Sequence, residues 1–255
     1  MASGLDLHLA DDMNEDIPQI IKDVGFDFSW SEEKVWALGV PVEEMDIREL
    51  TWHFAVPFLW ENGVYNLTSQ EVIDSPDAHA KEYERTMKAD LIHPIDIMQN
   101  KGRWLILDGL HRLMKADILG MDKVQVRKIP REHIRDILEN EPMVHEMKLQ
   151  PSPFEKVKRG TKTIEVRLND EKRKQVRVGD EIVFSLIADP AQKVRTEVLE
   201  LLPFPTFQEL FAAFPPEQYG GTSKDEYAAM YKYYPREEEE KYGVLGIKLR
   251  YLGEA

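Results

Sequence analysis

The chain has 255 residues, 42% hydrophobic and 31% charged, with 14 Gly and 15 Pro in no period; this suits one large or two small globular domains and excludes a disordered or fibrous chain. Lys and Arg number 33 against 47 Asp and Glu, and the resulting net charge of −14 excludes a generic nucleic-acid coat. The lack of Cys removes disulfides, thiol nucleophiles and Cys zinc sites.

No apolar run approaches the ~18 residues of a membrane span. The opening MASGLDLHLADDMNED is acidic where a signal peptide would be basic and then apolar, so a cytoplasmic protein with no membrane partner is expected. Residues 1–90 hold the whole acidic excess. From Phe154 to Arg177, nine basic residues face four acidic ones, a pattern of local anion sites rather than an extended phosphate track.

In chain order, residues 1–14 read as an acidic tail, part of an N-terminal extension over residues 1–40. Ser31 before Glu32, Glu33 and Val35 predicts a short capped helix, and Val42–Ile47 a strand. Thr68-Ser-Gln-Glu71 is a capping box opening a helix, and a second helix is expected from Asp77 to Asp90. Pro94–Met98 and Arg103–Leu107 read as strands around a Lys101-Gly102 turn. A helix follows Asp108-Gly109 and ends at Gly120; Val124–Ile129 is a strand, and Pro130 starts a helix running to about Asn140. Glu141-Pro142 divides the chain. Beyond it, strands are expected at 145–149, 163–168, 180–186, 194–202 and 244–252, with short helices at 154–159, 207–214 and 225–234. Such spacing predicts a small, partly open barrel. The run Glu237–Glu240 reads as a solvated face.

Two constellations carry chemistry. In Asp108-Gly-Leu-His-Arg112, a strand end, a tight turn and a helix start point backbone N–H groups and the helix dipole at one spot. Arg112 adds a fork for phosphate and His111 a donor that titrates near neutrality; Asp108 is placed to orient His111 or hold a metal ion on a phosphate. The plainer reading is that Asp108 caps the helix while His111 and Arg112 tie the turn. In Gly160-Thr-Lys-Thr-Ile-Glu-Val-Arg167, alternation puts Thr163, Glu165 and Arg167 on one strand face with Lys162 leaning toward it; the plainer reading is an exposed face with a Glu165–Arg167 pair.

Through the Pro94-Ile95 strand, Trp104–Arg112 and Val124–Ile129, residues 41–141 resemble the ParB/sulfiredoxin-like fold. That resemblance implies a nucleotide with Mg²⁺ held at Asp108, Gly109, His111 and Arg112. Position 110 is Leu, so sulfiredoxin thiol chemistry is excluded, and no helix-turn-helix domain follows. A phosphotransferase or nuclease acid would come from Glu43, Glu44 or Glu49.

The second resemblance covers residues 142–255. Met147-Lys-Leu, Pro153-Phe154, Gly160-x-Lys-Thr-x-Glu-x-Arg167, Val178–Phe184 and Lys241–Leu249 are similar to the ASCH domain, a PUA-like barrel. It implies RNA or a modified nucleoside bound by Lys162, Thr163, Glu165 and Arg167. Some members are N4-acetylcytidine amidohydrolases working with a Lys, a Thr and a Glu. Here Lys162 matches, Glu165 stands where the threonine is expected, Thr161 or Thr163 would have to substitute, and the further acid falls near Glu217. Lys162 with Glu165 as general base would then activate water.

The expected architecture is therefore α+β, a small α/β nucleotide-binding domain followed by a PUA-like ASCH barrel with short helices. The leading function is recognition of RNA or a modified nucleoside. The alternatives are an enzyme of either kind and a structural adaptor with vestigial pockets. Trp52, His53, Phe54, Phe58 and Trp60, like the tyrosines at 227, 231, 233 and 234 with Met230, read first as packing.

Overall fold

A computed structural model describes residues 17–61 and 63–255, and the chain divides between Asn140 and Glu141 into two compact units. The tail expected over residues 1–14 lies outside the described residues.

In unit 1, helices α1 (Gln19–Val24) and α2 (Glu32–Trp36) precede strand β1 (Val42–Asp46). Ser31 caps α2 by accepting from Lys34 N–H. Two 3₁₀ turns, Ile47–Glu49 and Thr51–Ala55, lead to a hairpin of β2 (Leu59–Glu61) and β3 (Val64–Leu67). Next come α3 (Ser69–Asp74), with both hydrogen bonds of the Thr68/Glu71 capping box in place, and α4 (Ala80–Lys88). Strands β4 (Ile95–Asn100) and β5 (Arg103–Asp108), helix α5 (Leu110–Ile118), strand β6 (Lys123–Ile129) and the single turn α6 (Ile134–Ile137) complete it. The sheet order is β1-β6-β4-β5, with β4 and β6 parallel and the outer pairs antiparallel.

The helix expected from Pro130 is cut short because the chain turns extended at Leu138, which forms a bridge with Trp30. Residues 17–38, expected to precede the domain, pack into unit 1. Asn100 donates to the Val24 and Gly25 carbonyls, and Trp30 Nε1 to Leu107 O. Arg127 closes α2 by donating to the Val35 and Leu38 carbonyls while its Nε sits 2.6 Å from buried Asp96. Burial pushes the Asp96 carboxyl up, with Arg127 opposing.

Unit 2 begins with β7 (Val144–Leu149), α7 (Pro151–Lys158), β8 (Ile164–Leu168), β9 (Glu181–Leu186) and the long β10 (Asp189–Phe204). Helix α8 (Phe207–Ala213), 3₁₀ segments Pro216–Tyr219 and Lys224–Lys232, α9 (Arg236–Tyr242) and β11 (Val244–Glu254) follow. The five strands run β7-β9-β10-β11-β8 in a sheet curled into a half-barrel, which leaves β7 and β8 as its two edges. One core gathers around Phe154, Phe184, Val198 and Ile247; a second gathers Ile164 and Val166 with Phe207 and Leu210 of α8.

Residues 237–240, expected to be a solvated face, form most of α9. Glu239 is 4% exposed and accepts from Phe207 N–H at 2.7 Å and from the Tyr231 hydroxyl at 3.0 Å. A buried backbone donor needs a partner, and Glu239 supplies it.

Candidate functional site

Strand β8 pairs with β11 so that Glu165 faces Ile247 and Arg167 faces Leu245. Cross-strand partners share a face, and Ile247 and Leu245 belong to the first core. Glu165 and Arg167 are therefore charged residues on the sheet face that carries the first core, where an apolar side chain would be the default. Ile164, Val166 and Leu168 alternate with them and fill the second core.

Lys162 joins them from the turn that follows Gly160. Its Nζ donates to the carbonyls of Ile164 and Tyr219, each at 2.8 Å, and lies 3.3 Å from Glu165 Oε2. Two of the three ammonium donors are thus held by backbone carbonyls, and the carboxylate contact is an ion pair without a hydrogen bond. Burial pulls Lys162 below the usual ammonium range, with Glu165 pulling the other way. Arg167 Nε lies 2.8 Å from Glu165 Oε1, while one terminal nitrogen donates to Lys148 O at 2.8 Å and the other to the Tyr234 hydroxyl at 3.4 Å. Burial would lower the Arg167 pKa, but Glu165 and Tyr234 outweigh it and the group stays firmly cationic. The Lys148 bond spans the gap between the two edge strands.

Above this floor opens a cleft of about 500 Å³. Its lining includes Lys148, Glu226, Met230, Tyr233 and Tyr234. Tyr234 stacks on Phe207 at 5.7 Å, while Tyr233 is 64% exposed. The Glu226 carboxylate accepts from Thr222 N–H and Oγ1 and from Ser223 N–H, and these bonds hold it below the usual range. Gly220 and Gly221 let the loop pass close to the site; a Cβ at Gly220 would come within 3.2 Å of the Lys162 chain.

Of the residues expected at this site, Lys162, Glu165 and Arg167 come together and Thr163 does not. Thr163 sits just before β8, where its backbone bonds to Gln218 and Leu249, and it is not among the cleft-lining residues. Thr161 is exposed, with its hydroxyl on Lys156 O at 3.1 Å. Glu217 is also exposed, in the 3₁₀ turn outside the cleft, and the acid that lines the wall is Glu226. Loop geometry decides which acid of this segment faces inward, and Glu226 lies nine residues after Glu217. Met230, Tyr233 and Tyr234 were visible as a cluster, but without their place on the rim.

Unit 1 has its own cleft, of about 310 Å³, where β5 turns into α5. Gly109 caps α5 at φ +110° with no side-chain cap, and a Cβ there would stand 2.7 Å from the Arg112 guanidinium. Asp108, 3% exposed, accepts from Arg112 at 2.8 Å and from Trp36 Nε1 at 2.9 Å. It does not orient His111: that imidazole pairs with Glu82 of α4. Trp60, Tyr65, Arg85, Lys88 and His93 line the same cleft. Glu43, Glu44 and Glu49, the acids considered for phosphotransfer, are exposed and none lines it; Glu43 pairs with Lys128 and Glu44 with Lys123.

The family model of the ASCH domain matches residues 147–252. Among solved structures, the crystal structure of the hypothetical protein PH0355 is 33% identical, covering 43% of this chain and 100% of that one with a TM-score of 0.39. The solution structure of protein PF0455 from Pyrococcus furiosus is 31% identical, covering 43% and 98%, with a TM-score of 0.34. A search of the curated proteins finds no match. Residues 147–252 are thus an ASCH domain.

Proposed function

We propose that the ASCH cleft recognises a nucleobase, presented by RNA or by a modified nucleoside. The observation that carries this reading is the Lys162–Glu165–Arg167 cluster, sealed under a 500 Å³ cleft with tyrosines on its rim. A few fixed polar groups beneath aromatic and apolar walls suit a planar, polar heterocycle. The test is a thermal-shift panel on the full chain with the four nucleosides, N4-acetylcytidine and short single-stranded RNA. A ligand at 100 times its Kd stabilises by about 2.7 kcal/mol, which is readily seen. RNA held by its backbone would also lose affinity with salt, by about 0.7 log units per phosphate contact for each log unit. Absence of any shift with every nucleoside and RNA sinks the reading.

A second reading concerns unit 1, where we take residues 41–141 as a ParB/sulfiredoxin-like domain whose cleft holds a nucleotide phosphate. It is favoured by the open N-terminus of α5 behind Gly109, with His111 and Arg112 on the cleft wall. Nucleotide affinity unchanged in a His111→Ala/Arg112→Ala double variant would remove it. As for catalysis in the ASCH cleft, neither Thr161 nor Thr163 lines it and two Lys162 donors are held by backbone carbonyls, which weighs against the amidohydrolase. Acetate released from N4-acetylcytidine, and abolished in Lys162→Ala, would reverse that ranking.

A further inference from the structure

The floor of the ASCH cleft contains two buried polar atoms that have ion-pair contacts but make no hydrogen bond within the fold. Among the described residues, neither Glu165 Oε2 nor Arg167 Nε has a hydrogen-bond partner, and both atoms are buried. Lys162 Nζ stands off Glu165 Oε2 at 3.3 Å with two better acceptors of its own, and the Arg167 Nε–H is not aimed at the carboxylate oxygen 2.8 Å away. Buried polar atoms are nearly always paired in native proteins, and an orphan calls for an explanation. Here an orphan acceptor and an orphan donor belong to residues two positions apart on the same strand face, and both residues line the same cleft.

Resting on the reading of that cleft as a base pocket, we propose that Glu165 and Arg167 read one edge of the base. The edge they fit carries an N–H donor beside an acceptor nitrogen or oxygen. It gives the N–H to the Glu165 carboxylate and takes the Arg167 Nε–H on its acceptor. Cytosine and adenine offer this as an amino group beside a ring nitrogen, uracil and guanine as a ring N–H beside a carbonyl. A phosphate does not fit the same floor, because it has no donor for Glu165 and is repelled by its charge. The edge therefore points inward and the sugar outward, past the exposed ring of Tyr233. Glu165 stands where a hydroxyl is expected in the amidohydrolases, and this assigns it a reading role in place of a nucleophilic one.

Calorimetry on the full chain tests this with cytidine, uridine, adenosine and guanosine, each against its edge-blocked partner: N4,N4-dimethylcytidine, 3-methyluridine, N6,N6-dimethyladenosine and 1-methylguanosine. A short mixed-sequence single-stranded RNA is run in parallel. The nucleoside that binds should lose at least tenfold when its edge is methylated, in line with the roughly 5- to 150-fold discrimination of a bidentate base contact. Glu165→Gln, with its fold checked by hydrogen exchange of β8, should lose about as much and no longer separate the blocked from the unblocked base. Equal binding of blocked and unblocked nucleosides overturns the edge assignment and leaves the base pocket standing. RNA bound equally by the wild type and by folded Glu165→Gln does the same. No binding by any nucleoside or RNA overturns both.

Discussion

Replacing Glu165 by Gln keeps the volume and, among the described residues, removes the only carboxylate paired with Lys162 and Arg167. At an effective dielectric of about 20, contacts at 3.3 and 2.8 Å correspond to gross attractions of roughly 5 and 6 kcal/mol. The net effect is smaller, since removing one member of a buried pair costs about 3–5 kcal/mol. Lys162 also has an escape: burial already pulls its pKa down with Glu165 opposing, and without Glu165 it is drawn toward folding neutral. The variant should therefore lose about 3–5 kcal/mol in unit 2.

Its stability should also become steeply pH-dependent. A lysine whose folded pKa is depressed leaves the unfolded chain binding more protons, so stability rises with pH toward the unfolded value. The assay must see unit 2 alone, and the sequence provides a control: all five tryptophans, at positions 30, 36, 52, 60 and 104, lie in unit 1. Urea titrations followed by Trp fluorescence should be unchanged. Hydrogen exchange of β8 and β11 should show the loss, larger at pH 7 than at pH 9. A loss below about 1 kcal/mol, or one independent of pH, would refute the description of this cluster as a tightly coupled buried charge network.

Two further predictions concern unit 1. His53 is fully buried; Ile106 N–H donates to its Nε2, which fixes Nδ1–H as the donor to Leu50 O, and burial pulls its pKa down to about 4. From an unfolded value near 6.5, stability is full above that pH and about 3 kcal/mol is lost as pH falls toward 4. Trp-monitored urea titrations across that range should show a slope that His53→Gln lacks, and equal slopes would contradict it. Gly109→Ala should cost unit 1 about 1–3 kcal/mol through the strained φ of +110°. The new methyl would also push Arg112 off Asp108, and a variant as stable as the wild type in the same titration would show that the turn relaxes freely.

Local patterns were enough for several parts of this protein. The Thr68/Glu71 capping box, the Ser31 cap and the Lys101-Gly102 turn form from residues within four positions of one another, so their chemistry is written in the chain. The Gly160–Arg167 signature likewise marked Lys162, Glu165 and Arg167, and alternation put the last two on one face. Whether that face looked into solvent or carried a core was beyond alternation. It depended on the pairing of β8 with β11, whose strands are separated by some 75 residues.

Tertiary packing also chose Glu226 over Glu217 for the cleft, and gave His111 to Glu82 from a helix more than 20 residues upstream. Glu239 shows the same limit from the other side. In sequence it is one of four identical glutamates, and the N–H of Phe207, 32 positions away, together with the Tyr231 hydroxyl, makes it a buried residue. Short-range hydrogen bonding and periodicity depend on neighbours in the chain, whereas burial of a charge depends on which distant partner arrives to satisfy it.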